Sequence, residues 1–320
     1  MGLLPSYADR APRNRTQRTE LEAARREEPA YARAFRHLAR SLVSEGLSER
    51  IAAMLREKAR PSTVAAAVPE FDRRDPGEHE VWSRFARGLA GAYTATIERS
   101  GEAAAQTLPA GKRFRFRIEK AAKESLAVPP NPYSIRWIRE RGGKLITEIS
   151  KEQRQTIMAR VARGYAKGER PEDMAASIRR SIGLTERQAD AVERRRALVF
   201  EETGNARQAD AAASRYADQQ LDLRAETIAR TENKAAQSQG QQDAWLVARD
   251  EGLLPKNARK RWVSMPESDR LSDICRELDG QVVGLDEPFR SDVLDQDLDA
   301  PPAHPACRST VVLEFSDNEE

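Results

Sequence analysis

The segment PPAHPACR at residues 301–308 sets the strongest local constraint on the fold. Its eight residues include three prolines, one of the three histidines and one of the two cysteines of the chain. Proline fixes φ and removes an amide donor, so the segment can continue neither a helix nor the ladder of a central strand. The sequence therefore predicts a stiff loop in which His304 and Cys307 can turn toward one point.

Composition indicates a charged helical protein with modest hydrophobic cores. Charged residues make up 33% of the 320 residues, aromatic residues 6%, and the mean hydropathy is −0.73. No segment approaches the roughly 18 consecutive apolar residues of a membrane-spanning helix, and the start, Met1–Pro5, is too short for a signal peptide. Two cysteines do not make a disulfide framework, so a reducing cytoplasm is the expected compartment.

Charge is distributed unevenly along the chain. From Met265 onward, four arginines stand against fifteen acidic residues, a net charge of −11, so the rest of the chain carries +14. A basic helical body can meet DNA phosphates or an acidic protein ring. The other interpretation is that these are ordinary solvated helices, whose surfaces are often rich in arginine and glutamate.

Helical periodicity dominates from Pro29 to about residue 250. Ser150 with Gln153 and Thr185 with Gln188 each fit a capping box, which predicts a helix start at both places. Another helix start is predicted at the proline of position 171.

The pattern predicts a mainly α fold with a small C-terminal α+β module on an elongated helical body. The expected domains are residues 1–128, a helical region with a basic mobile arm, residues 129–253, a helical array, and residues 254–320, a small acidic module. Short strands are expected at Lys260–Met265, Gln281–Leu285 and Thr310–Phe315.

A basic strip combines Lys112, Arg113, Arg115 and Arg117 with alternating phenylalanines. In an extended chain, period-two alternation places the cations on one face and the rings on the other. One interpretation is a surface that binds nucleic acid or a protein partner, with rings available for stacking. The alternative is an ordinary half-buried strand or helix start.

A candidate metal site consists of Cys275, His304, Cys307 and an aspartate, either Asp269 or Asp273. Thiolate, imidazole and carboxylate are suitable zinc ligands, and a structural site would be closed and tetrahedral. The sequence thus allows one structural zinc. Three other interpretations stay open: a packed loop without metal, a disulfide between the two cysteines, and a catalytic cysteine–histidine pair.

The C-terminal third also carries an ordered series of short motifs. These are ARTE at residues 229–232, Lys260-Arg261-Trp262, Asp269-Arg270, Cys275, Leu278-Asp279-Gly280 and the PPAHPACR loop. The series resembles the phage head morphogenesis family, the minor head proteins of tailed bacteriophages related to the phage Mu F protein. The resemblance runs from about residue 229 to 315, and more loosely back to 137. The residues expected to act structurally are Arg230, Glu232, Trp262, Asp279, Gly280, Pro302 and Pro305.

The resemblance implies a minor capsid protein rather than an enzyme. Such a protein would bind near the portal vertex and act in head assembly and in DNA packaging or delivery. Its expected partners are the portal protein, other head proteins and viral DNA, within the virion and, during assembly, the bacterial host cytoplasm. We also expect Arg230 or Glu232 to dock its helix onto the C-terminal module.

Two alternative functions and one departure from the family remain at this point. The alternatives are a metal-dependent nuclease or toxin-like enzyme built on the His304/Cys307 loop, and a DNA-binding protein acting through the basic body. The departure concerns the end of the loop, where the family often has Cys-Arg-Cys. Here the last position is Ser309, so a metal site would lack one thiolate.

Overall fold

The structure is a computed structural model that describes residues 28–43, 47–71, 79–106, 108, 132–264 and 271–314. In this part of the chain there are nine helices and five short strands. The helices are α1 at residues 28–43, α2 Leu47–Arg56, α3 Pro61–Ala65, α4 Glu80–Gln106, α5 Pro132–Lys167, α6 Pro171–Ser181, α7 Glu186–Thr203, α8 Ala206–Asp250 and α9 Asp273–Leu278. The predicted fold class, mainly α with a small C-terminal α+β module, is confirmed. None of the described helices is long and apolar enough to cross a membrane.

Local sequence signals set the ends of α6 and α7. Pro171 occupies the first turn of α6, where a missing amide proton costs nothing. The Thr185 side chain accepts the amide hydrogen bond of Gln188, and the Gln188 side chain accepts that of Thr185, so the predicted capping box is confirmed. At the other end of α7, Gly204 adopts a left-handed conformation with φ of 62°, which closes the helix.

The helix start predicted at Ser150 is wrong, because α5 continues without a break through this position. Both residues of the predicted capping box are buried and serve other segments. The Ser150 hydroxyl accepts a hydrogen bond from the backbone amide of Phe71, and Gln153 Oε1 accepts one from the amide of Gly183 at 2.6 Å. These side chains therefore satisfy distant backbone donors instead of starting a helix.

The chain divides into two compact units, each built from separate stretches of sequence. The first, called here the helical unit, comprises Ala30–Ala90 and Arg139–Glu226. The second, the module-bearing unit, comprises Met1–Pro29, Gly91–Ile138 and Thr227–Glu320, as far as these are described. The predicted domain limits and the elongated shape stay predictions, and the limit at 128/129 lies outside the described residues.

The helical unit is held together by apolar packing with buried polar connections. Leu184, Val192, Ala213 and Ala217 form one of its buried clusters, where α7 packs on the first half of α8. The guanidinium of Arg224 is buried, donates to the carbonyl oxygen of Gly183 at 3.0 Å and pairs with Glu152. Desolvation lowers the pKa of Arg224, so the paired carboxylate is needed to keep this buried charge in place.

In the module-bearing unit, α4 and α8 approach closely at two glycines. A methyl group on Gly240 would lie 2.9 Å from the Cα of Ile97 and closer still to its carbonyl oxygen, while one on Gly101 would lie 3.3 Å from the carbonyl oxygen of Gly240. Further along α8, Trp245 belongs to a buried cluster that continues into the C-terminal module through Trp262, Phe289 and Val311. The module and the end of α8 therefore share one hydrophobic core.

The C-terminal module contains two small antiparallel sheets. The strands are β1 Arg259–Val263, β2 Val282–Gly284, β3 Phe289–Ser291, β4 Gln296–Leu298 and β5 Thr310–Glu314. β1 lies between β2 and β5, and β3 pairs with β4. The three predicted strands correspond to β1, β2 and β5, to within two residues. The β3–β4 hairpin has no counterpart among the predicted strands.

Candidate metal centre

Cys275 is positioned by the short helix α9. The hydroxyl of Ser272 caps the helix by accepting the amide hydrogen bond of Cys275 at 3.2 Å. The residues on the inward face, Cys275 and Leu278, are three positions apart and both are buried. The cap and this spacing together direct the Cys275 thiol into the module.

A turn brings His304 and Cys307 to the same side of the 301–308 loop. The amide of Cys307 donates to the carbonyl oxygen of His304 at 3.1 Å, and Ala306 has a φ of 58°. The amide of Ala306 donates to the hydroxyl oxygen of Thr231 on α8 at 3.0 Å. The loop is therefore closed on itself and attached to the long helix.

The three predicted ligand atoms converge. The Cys275 Sγ lies 3.1 Å from His304 Nε2 and 3.7 Å from Cys307 Sγ, and all three atoms lie within 4.8 Å of one another. Both cysteines are free, so the alternative of a disulfide between them is not realised in the structure. Cys275 and Cys307 are only 2% and 5% exposed, which places the cluster inside the module.

Ser309, which stands where the family often has a cysteine, is part of this cluster. Its hydroxyl donates to the Cys275 Sγ at 3.3 Å and lies 3.2 Å from the hydroxyl of Ser264. Ser264 in turn donates to the carbonyl oxygen of Cys275 at 2.7 Å. The end of β1, helix α9 and the start of β5 thus meet around the two sulfurs.

Hydrogen bonds shift the pKa values of the two cysteines in opposite directions and fix the tautomer of His304. Hydrogen bonds from Cys275, from the backbone of Ala303 and from Ser309 lower the pKa of Cys307 to about 5 against the opposing effect of burial. The same pairing, together with burial, raises the pKa of Cys275. His304 Nδ1 lies 2.9 Å from the carbonyl oxygen of Pro305, so in the neutral ring Nδ1 carries the proton and Nε2 presents its lone pair to the sulfurs.

Comparison with known proteins relates residues 155–312 to a known family. Residues 155–312, about half of the chain, match the family model described as Phage Mu protein F like protein. This part of the chain is a member of that family. The resemblance to phage head morphogenesis proteins is thereby confirmed, and the chain is a phage head-related protein. No curated protein and no solved structure matched it.

The matched region includes the ARTE segment, where three adjacent residues have separate contacts. Glu232 is buried and accepts a hydrogen bond from the hydroxyl of Tyr93 at 2.6 Å, and Arg230 pairs with Glu28 at 3.8 Å. The hydrogen bond to the 301–308 loop comes from Thr231, which lies between them. Docking of the Mu F-like module by Arg230 or Glu232 stays a prediction, whereas the contact made by Thr231 was not foreseen.

The remaining motif residues of the Mu F-like region shape the module. Trp262 is fully buried, with its ring 5.2 Å from that of Phe289 in an edge-to-face arrangement. Asp279 accepts the amide hydrogen bond of Ser264, and Gly280 follows with a φ of 85°, a conformation that favours glycine. These two residues form the turn that joins α9 to β2.

The remaining predicted residues are two prolines, two aspartates and the basic strip. Pro302 follows a cis peptide bond from Pro301, and Pro305 is exposed. Asp269 and the basic strip at residues 112–117 lie outside the described residues, so their predicted roles stay predictions. The alternative aspartate, Asp273, forms an exposed ion pair with Arg276 at 2.7 Å.

Sequence reasoning also missed a buried lysine. Lys260 on β1 is 1% exposed, its Nζ donates to the carbonyl oxygen of Asp299 at 2.9 Å, and it lies over the Phe289 ring. Burial lowers its pKa. The alternation of β1 places Lys260 on the same face as Trp262, and this period-two pattern was the available signal.

Proposed function

We propose that this protein is a minor head protein, a structural component that binds near the portal vertex and acts in head assembly and in packaging or delivery of DNA. The observation that carries the proposal is the family match, which extends from α5 through α8 to β5. Its location would then be the virion head, with the host cytoplasm as the place of assembly.

The geometry of the Cys–His cluster favours a structural role over a catalytic one. A thiol next to an imidazole at 3.1 Å is the pairing that a cysteine nucleophile needs. A reactive cysteine also needs access to its substrate, and Cys275 and Cys307 are both buried. The cluster joins α9 to the loop before β5, so its burial suits a connecting role within the module.

The proposed activity is binding, and the basic charge of the chain suggests where the partner lies. Outside the acidic C-terminal region the chain carries a net charge of +14. This part of the chain includes the basic strip, Lys112, Arg113, Arg115 and Arg117. An acidic protein ring or packaged DNA would present negative charge to such a protein, and the salt dependence of binding reports how many charges each contact neutralises.

The test is co-sedimentation of the purified protein with portal oligomers, with heads and with DNA, each over a series of salt concentrations. We expect association with portal oligomers or heads. Charge reversal of Arg113, Arg115 and Arg117 to glutamate should remove the salt-sensitive part of that association and leave thermal unfolding unchanged.

A matched control carries the same change in net charge at another place. Charge reversal of Arg187, Arg194 and Arg195 on α7 should leave association largely intact if the strip is the specific surface. Equal losses in both variants would show that binding follows total charge. Binding to DNA alone would support the DNA-binding alternative. Nuclease or protease turnover that His304→Ala abolishes would replace the structural proposal with the enzyme.

A further inference from the structure

The spacing of the two buried sulfurs suits a bridging ion. A disulfide would bring sulfur atoms to about 2.05 Å. Two thiolates bound to a tetrahedral zinc at about 2.3 Å lie about 3.8 Å apart. The observed distance between Cys275 Sγ and Cys307 Sγ is 3.7 Å. We propose that Cys275, His304 and Cys307 bind one structural zinc ion through Sγ, Nε2 and Sγ, with the hydroxyl of Ser309 at the fourth position.

The orientation of His304 agrees with this assignment. Zinc-bound histidines usually donate their second ring N–H to a carbonyl or carboxylate, which fixes the ring and its tautomer. The bond from His304 Nδ1 to the Pro305 carbonyl oxygen is of this kind. The Cys275 Sγ–His304 Nε2 distance of 3.1 Å is shorter than the roughly 3.6 Å of a tetrahedral site, so the ring must move outward by about half an ångström.

The Ser309 hydroxyl hydrogen-bonds to both sulfurs of the cluster. Its hydroxyl lies 3.3 Å from the Cys275 Sγ, close to the roughly 3.6 Å that separates sulfur and oxygen ligands of a tetrahedral zinc. Ser309 is 1% exposed, so bulk water does not compete freely for this position. A hydroxyl is a weaker zinc ligand than a thiolate, and the site is therefore weaker than one with three cysteines.

The ion would fasten α9 to the continuous segment that runs from the 301–308 loop into β5. Cys275 lies on α9, His304 and Cys307 lie on the 301–308 loop, and Ser309 precedes β5. The loop is also bonded to Thr231 on α8. A module of about sixty residues buries a small core, and a metal is one of the usual means of stabilising a fold of that size.

Zinc content of the full-length protein tests the proposal. The protein is expressed in zinc-supplemented medium, purified without chelator and measured by elemental analysis. We expect about one zinc per chain, since a closed structural site holds its metal through purification. His304→Ala should reduce this below a tenth of an equivalent, and the matched variant His37→Ala, at an exposed position on α1, should retain it.

Ser309→Cys tests the proposal through tighter zinc binding, a result that misfolding of the variant could not produce. A third thiolate should raise the chelator concentration needed for half-removal of zinc by about tenfold or more. Ser309→Ala should lower that concentration. Wild-type protein with less than a tenth of an equivalent of zinc would overturn the proposal. So would equal zinc in the His304→Ala and His37→Ala variants, or an unchanged chelator response in Ser309→Cys.

Discussion

Gly240→Ala should destabilise the protein, although alanine is the better helix former. Gly240 lies on α8 against Ile97 of α4, where an added methyl group would come within 2.9 Å of the Ile97 Cα and closer to its carbonyl oxygen. The obstructing atoms belong to the backbone, so no side-chain rotation can relieve the clash. The two helices must move apart by up to about an ångström to restore a carbon–oxygen contact of roughly 3.3 Å.

The change in the free energy of unfolding of Gly240→Ala is the difference between two opposing contributions. Overpacking in a well-packed core costs about 1–3 kcal/mol. Replacing glycine with alanine inside a helix contributes about 1 kcal/mol of stability. The free energy of unfolding should therefore fall by up to about 2 kcal/mol, which corresponds to a midpoint lower by up to about 8 °C for a unit of this size.

Thermal and denaturant unfolding, followed by circular dichroism, measure the effect. The matched control is Gly91→Ala on α4, because a methyl group at Gly91 would have no heavy atom within 4 Å. The control should gain about 0.5–1 kcal/mol from helix propensity alone. If Gly240→Ala is as stable as Gly91→Ala, the close approach of α4 and α8 at this glycine is wrong.

Two further predictions concern buried and capping polar groups. Burial raises the pKa of Asp243, so the folded state binds a proton more readily than the unfolded state, and stability should fall as pH rises from the unfolded pKa through the folded one. Asp243→Asn should flatten this part of a curve of stability against pH and should be the more stable form at pH values above the folded pKa. A curve that the substitution leaves unaltered would contradict the shift. Thr185→Ala removes the capping box of α7 and should cost about 1 kcal/mol in urea unfolding, whereas the exposed substitution Thr203→Ala at the end of the same helix should cost less.

Local sequence signals predicted the elements that depend on nearest neighbours. Pro171, the Thr185–Gln188 capping box and the β-branched run before Phe315 each specify backbone geometry within a few residues. The structure has α6, α7 and β5 at these places. These predictions succeeded because a cap or a β-branched run acts on backbone groups only a few positions away.

The same kind of signal failed where a distant segment competed for the same side chains. Ser150 and Gln153 have the spacing of a capping box, yet they accept hydrogen bonds from Phe71 and Gly183 inside a continuous helix. The β3–β4 hairpin was also missed, since its strands are only three residues long and lie in a stretch rich in aspartate. For Ser150 and Gln153 the structure depends on partners 79 and 30 positions away, which no local window contains.

The candidate metal centre likewise combines features that the sequence predicts with features that only the tertiary structure decides. Residue type and spacing in the sequence were sufficient to predict that Cys275, His304 and Cys307 belong together, because few side chains offer sulfur or imidazole ligands and the chain has only two cysteines and three histidines. Only the tertiary structure decided that Ser309 donates a hydrogen bond to the Cys275 Sγ and that Thr231 attaches the loop to α8. Serine and threonine are common in any sequence, so their roles depend on which atoms folding brings within hydrogen-bonding distance.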